Sequence, residues 1–232
     1  MEIISKELKA LLYEEGADLV GFADLSETGS ALPFGVSIAI GLSIEALDSL
    51  REGDKTRYKA EVFPLEDIER IVDVGANYLN RKGYKTVQLT EAFMHSEAFD
   101  MDIQLKTIAT RGGLGWVGRC SLLVTEKFGL AQRLSALITD APLLADRPVT
   151  QSFCGDCNLC VRNCPGKAMS GRLWNPQKPH CDLYFDLKSC LRGADICGER
   201  IPRQKGLKLC GQCLGFCPHT EDYINRVKRR GA

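Results

Sequence analysis

Cys154-Gly-Asp-Cys157-Asn-Leu-Cys160-Val-Arg-Asn-Cys164-Pro165 is the stretch on which the reading of this chain turns. Its spacing is C-x2-C-x2-C-x3-C-P, in which three thiolates hold one 4Fe–4S cube and the fourth reaches across to another. That exchange demands a second run, and Cys210-Gly-Gln-Cys213-Leu-Gly-Phe-Cys217-Pro218 supplies one. The exchange then gives Cys154, Cys157, Cys160 and Cys217 to the first cube. The second receives Cys164, Cys210 and Cys213 and is one ligand short, because Leu207 stands where the second run would begin. Cys181, Cys190 and Cys197, in the insertion between the runs, are the candidates for that vacancy. Structural zinc wants four thiolate or histidine ligands in paired knuckles, which a C-x2-C-x2-C run closed by Cys-Pro does not offer.

Outward from the runs, composition sets the frame. The 232 residues are 44% hydrophobic, enough for a core, and 30 basic residues balance 30 acidic ones. No global field therefore draws the chain to nucleic acid or to a membrane. The one basic cluster is Arg226-Val-Lys228-Arg229-Arg230, read as a solvated end. Eleven cysteines, odd in number and clustered, point to metal in a reducing compartment rather than to disulfides. The start has no signal-peptide layout and no apolar run approaches the roughly 20 residues of a membrane span. The expectation is a soluble, cytoplasmic protein.

Upstream, Ile4, Leu8, Leu11 and Leu12 keep helical spacing over residues 2–15, and Leu65, Ile68, Ile71, Val72, Tyr78 and Leu79 do so between Pro64 and Gly83. A further helix is expected over Ile44–Leu50 and another over Ile103–Thr110. Strands are expected at Leu19–Phe22, Val36–Ile40, Tyr84–Leu89, Leu122–Thr125 and Leu130–Ile138. Residues 51–63 and 90–101 carry no clear pattern. Interspersed elements with short connections give an α+β chain: an α/β domain over 1–148 and a small double-cluster domain over 149–232, with the boundary at Pro142 and Pro148. The cluster domain is expected to take its folding free energy from metal.

Gly112, Gly113, Gly115 and Gly118 surround Trp116 between a helix and a strand. Without Cβ atoms, such backbone can lie flat against a cofactor face, or it forms a tight turn over a packed Trp116. The order is opposite to that of a dinucleotide site, where glycines follow a strand and open a helix.

Gly113-Leu-Gly-Trp-Val-Gly-Arg-Cys-Ser-Leu-Leu-Val-Thr125, Leu137-Ile-Thr-Asp-Ala-Pro-Leu143 and the cysteine run together resemble the epoxyqueuosine reductase-like family, which is related to corrinoid-dependent reductive dehalogenases. The resemblance is close from Ile103 to Ala168, resumes at Cys210–Pro218 and is loose over the first 90 residues. It is best to the short, mostly anaerobic branch; this sequence stops soon after the second run, where full-length members continue into helical repeats. The resemblance implies a nitroreductase-like N-terminal domain that binds cobalamin, with Gly113, Leu114, Gly115, Trp116 and Gly118 at the cofactor, and a ferredoxin-like domain that feeds it electrons. A flavin is the less favoured occupant. The family's cysteine four residues after an Asp matches Asp186-Leu-Lys-Ser-Cys190, which selects Cys190 for the second cube, then Cys181, then Cys197. Cys120 is left as an ordinary buried residue. The family's acidic proton donor finds its nearest counterpart in Asp100. A redox partner or corrinoid protein is the expected partner, and the neutral charge gives no tRNA footprint.

Overall fold

The computed structural model describes residues 1–62, 65–89, 105–178, 183–197, 199–200 and 208–231. It is a mixed α/β chain in two compact units, and the chain passes between them repeatedly. The first unit comprises Met1–Gly41, Pro64–Gly115 and Gln132–Thr150; the second comprises Leu42–Phe63, Trp116–Ala131 and Gln151–Ala232.

The first unit is built on an antiparallel sheet of four strands in the order β1-β2-β6-β3: β1 (Leu19–Asp24), β2 (Phe34–Gly41), β6 (Gln132–Thr139) and β3 (Thr86–Gln88). The two helices with the clearest apolar periodicity, α1 (Glu2–Glu14) and α4 (Glu66–Arg81), bury Leu8, Leu12, Ile68, Ile71 and Val72 against Phe22, Ile38 and Leu137. Side chains alternate across a strand, so Ala23, Ala136 and Ile138 form a separate core with Ile108 of α5 (Leu105–Arg111).

The glycines after α5 have local causes. Gly113 adopts φ +75°; its N–H donates to Thr110 O at 3.2 Å and the Leu114 N–H to Ala109 O at 2.9 Å. This is a Schellman ending, which a left-handed glycine permits. A Cβ on Gly21 of β1 would lie 2.2 Å from the Gly112 carbonyl oxygen, so the two glycines let the helix end touch the strand. Asp100 lies outside the described residues.

In the second unit, α2 (Ile44–Arg51) is capped by Ser43, whose hydroxyl accepts the Ala46 N–H at 3.1 Å. It leads into α3 (Thr56–Val62), which carries too few apolar residues to be read from sequence. A two-stranded sheet of β4 (Gly115–Val117) and β5 (Leu123–Thr125) follows. The cysteine region adds α6 (Leu159–Arg162), α7 (Leu187–Cys197), the antiparallel pair β7 (Glu199–Arg200) and β8 (Lys208–Leu209), α8 (Gln212–Gly215) and α9 (Pro218–Arg230).

The last helix starts with Cys217 as N-cap and Pro218 at its first position, where a missing N–H costs nothing. It binds the upstream segments of its unit together. Tyr223 Oη donates to Leu42 O at 2.8 Å, Lys228 pairs with Asp48 at 2.8 Å, and Arg226 Nη2 donates to the Glu126 and Lys127 carbonyls at 2.7 and 2.8 Å. The basic run thus occupies the last turns of a helix, where positive charge opposes the negative dipole end. Among the described residues no helix is long and apolar enough to cross a membrane.

Candidate metal centre

Ten cysteines fall among the described residues, all free thiols, and within the second unit they gather in two groups. Cys154, Cys157, Cys160 and Cys217 line one cavity. Three belong to the first run, and Cys217 arrives from the start of α9. Among the described residues no three metal-binding side chains converge closely enough for a single ion; these four thiols instead surround a volume.

The wall of that cavity also contains Arg119, Cys120 and His219. Arg119 Nη2 donates to the Gly155 carbonyl at 2.6 Å, and Nη1 donates to that of Gly171, so one guanidinium holds the loop between Cys154 and Cys157. Cys120 is buried, and its thiol is hydrogen-bonded to Cys160. That bond, with the Arg119 charge a lesser contributor, brings the Cys160 thiol down to about 7. The same bond, with burial, pushes Cys120 well up. Trp116 is buried behind this wall, edge-on to Phe153 with ring centroids 5.2 Å apart and to His219 at 4.9 Å.

The second group is Cys164, Cys190, Cys197, Cys210 and Cys213. Burial, then the neighbouring Cys164 and Cys197, raises the Cys190 thiol. Burial raises Cys210 to about 11, and burial followed by Cys210 pushes Cys213 up. Cys197 Sγ lies 3.2 Å from Cys210 Sγ. Crowded, buried thiols resist ionisation unless a cation offsets their charge. The donor sets therefore suit cationic iron clusters.

Backbone contact brings the insertion to this group. A Cβ on Gly166 would lie 2.0 Å from Ser189 O, and one on Gly193 would lie 2.5 Å from Gly166 N. These two glycines let α7 press against the turn after Cys164-Pro165. Asp186 caps that helix, its carboxylate accepting the Ser189 N–H at 2.9 Å. The Asp-x3-Cys spacing thus has a physical basis: the Asp starts the helix whose first turn carries Cys190. Cys197 is seven residues further on, two turns along the same face. Cys181 and Leu207 lie outside the described residues.

The glycine-loop candidates divide between the units. Gly113 is exposed and Leu114 half-buried; Gly115, Trp116 and Gly118 are buried. A Cβ on Gly118 would lie 2.9 Å from Val124 Cγ2, and Gly118 joins the wall of the first cysteine cavity. Sequence reading missed the parts played by Arg119 and His219, although they immediately follow Gly118 and Pro218, and it left Cys120 as an ordinary buried residue. It also passed over Lys55 and Tyr58, whose unpatterned segment gave no signal.

No family model matches the chain. It is 30% identical over 146 residues to the epoxyqueuosine reductase of Staphylococcus aureus, covering 53% of this chain and 38% of that protein. It is 30% identical over 131 residues to the tetrachloroethene reductive dehalogenase of Sulfurospirillum multivorans, covering 52% and 24%. Among solved structures, the catabolic reductive dehalogenase NpRdhA in complex with 3-bromo-4-hydroxybenzoic acid superposes with a TM-score of 0.65 at 22% identity, over 92% of this chain and 31% of that one. An epoxyqueuosine reductase bound to a tRNA stem loop gives 0.56 at 17%, over 93% and 65%. The chain thus spans well under half the length of the two curated relatives. Its fold is the one shared by epoxyqueuosine reductases and reductive dehalogenases. In sequence and in fold the chain is similar to epoxyqueuosine reductases and to reductive dehalogenases.

Proposed function

We propose that this chain is an iron–sulfur reductase component that passes electrons through two 4Fe–4S clusters to a corrinoid, bound by its nitroreductase-like N-terminal domain (1–148) or carried by a partner protein. One observation carries the reading: Cys154, Cys157, Cys160 and Cys217, grouped in advance by the exchange spacing, line a common cavity. Cys164, Cys210 and Cys213, with Cys190, would hold the second cluster within the ferredoxin-like domain (149–232). When bound, the clusters supply one-electron transfer and the corrinoid the reductive chemistry.

The protein's own residues hold the ligand-bearing loop in place. Trp116 packs edge-on against His219 of the first cavity's wall, and Arg119 ties the Cys154–Cys157 loop through the Gly155 carbonyl. Gly113, Leu114, Gly115, Trp116 and Gly118 remain the proposed cofactor-facing stretch, and Asp100 the proposed proton donor. The test is anaerobic purification followed by incubation with a corrinoid. A base-off corrinoid absorption band that stays with the protein through gel filtration supports binding in this chain. Its absence, with both clusters present, assigns the corrinoid to a partner; a co-purifying flavin would replace it.

A second reading, reduction of epoxyqueuosine in tRNA, is favoured by the names of the relatives and by the structural neighbour that holds a tRNA stem loop. Neutral net charge argues against a broad electrostatic footprint but does not bear on a small basic site. Queuosine content of tRNA from a deletion strain separates the two: loss with accumulated epoxyqueuosine selects the tRNA reading.

A further inference from the structure

Lysine is almost never fully buried unless its charge is paired. Lys55 is 5% exposed, at the entrance to α3. Its Nζ donates to the carbonyl of Cys197. A buried ammonium carries a desolvation cost that a nearby anion would offset. The surroundings identify that anion. Cys197 Sγ touches Cys210 Sγ at 3.2 Å. Tyr58, one turn beyond Lys55, is also buried, and a Cβ on Gly211 would meet its ring at 2.8 Å. The start of α3 is therefore laid against the Cys210–Cys213 turn, with its one buried cation beside the second cysteine group.

We propose that Lys55 is the fixed counter-charge of the cluster assigned to Cys164, Cys190, Cys210 and Cys213, and that its ammonium raises the reduction potential of that cluster alone. The inference rests on the two-cluster reading above. A thiolate-ligated cube is net negative and gains a further negative charge on reduction. A fixed cation beside it stabilises the reduced form more than the oxidised one, so the potential rises. Lys55 is thus a positioning and tuning residue, not a ligand: its role is exercised through charge, and a neutral replacement of similar length should leave the cluster bound but harder to reduce.

The experiment compares wild type, Lys55→Gln and Lys55→Arg as full chains, reconstituted anaerobically, by iron content and EPR-monitored potentiometric titration. Cys210→Ala identifies which signal belongs to the second cluster. In Lys55→Gln that signal's midpoint should move to lower potential while the other stays fixed; Lys55→Arg should keep both near wild type. Full iron with both midpoints unchanged in Lys55→Gln overturns the inference, as does an equal shift of both. Should Lys55→Gln lose the second cluster, Lys55→Arg decides. Retention of iron and midpoint there supports the charge, whereas loss there too assigns Lys55 to packing and overturns it. Wild-type protein with a single cluster would defeat the two-cluster reading itself, a result visible before either variant is examined.

Discussion

Gly166→Ala should unseat the second cluster without touching a ligand. The added Cβ would sit 2.0 Å from Ser189 O, 2.9 Å from Ser189 C and 3.0 Å from Gly193 N, all backbone atoms. No side chain can swing aside, so α7 must move away from the Cys164-Pro165 turn or the turn must distort. Overpacking of this kind costs about 1–3 kcal/mol. That cost falls at the contact that brings Cys190 to Cys164, and the expected result is loss of the iron belonging to one cube. The control is Gly215→Ala, in the same unit between Cys213 and Cys217, where a new Cβ would meet nothing nearer than Arg51 Cγ at 3.8 Å. Iron analysis and EPR of both proteins, prepared anaerobically, provide the assay, with thermal unfolding as a second readout. If Gly166→Ala kept all its iron and its unfolding midpoint matched that of Gly215→Ala, the backbone contact would not position α7, and the argument for Cys190 from packing would fail.

Cys217→Ala should remove the first cube although Cys154, Cys157 and Cys160 are intact, whereas Cys213→Ala should remove the second; EPR of the reduced variants distinguishes them, and the reverse pairing would refute the exchange. Cys190→Ala should lose one cube and Cys197→Ala neither; iron loss in the Cys197 variant instead would transfer the ligand to the residue already touching Cys210. Iron removal should expose Leu42–Val62 and Trp116–Ala131 to proteolysis along with the residues after Thr150, because they share one compact unit; persistent protection of the two upstream segments would contradict this. Gly21→Ala should lower the unfolding midpoint, at a cost of about 1–3 kcal/mol, without loss of iron, since its clash is with Gly112 in the first unit.

The sequence was most legible where chemistry fixes spacing over a few residues. The grouping of Cys217 with the first run follows from the exchange rule alone; in the fold, the four residues line one cavity. Helical periodicity placed α1 and α4 to within about two residues, the usual uncertainty of helix ends, because each buries one continuous stripe against the sheet. What stayed hidden depends on long-range packing. Nothing in residues 42–62 or 116–131 signals that they belong with a cysteine region beyond residue 150. Lys55 reads as one more solvated cation until the fold buries it. Cys120 lacks the spacing of a ligand, so its hydrogen bond to Cys160 could only be seen once β4 and β5 were in place. The glycines at 112 and 113 admitted two readings; both have a local cause in a helix ending closed on β1, and the cofactor-facing reading of Gly113 is decided by the corrinoid experiment.

The central claim is that the cysteines hold two 4Fe–4S clusters, and the most direct measurement is iron and acid-labile sulfide per chain in anaerobically prepared protein. Two cubes predict about eight of each. Only four iron, or stoichiometric zinc in their place, would contradict the account.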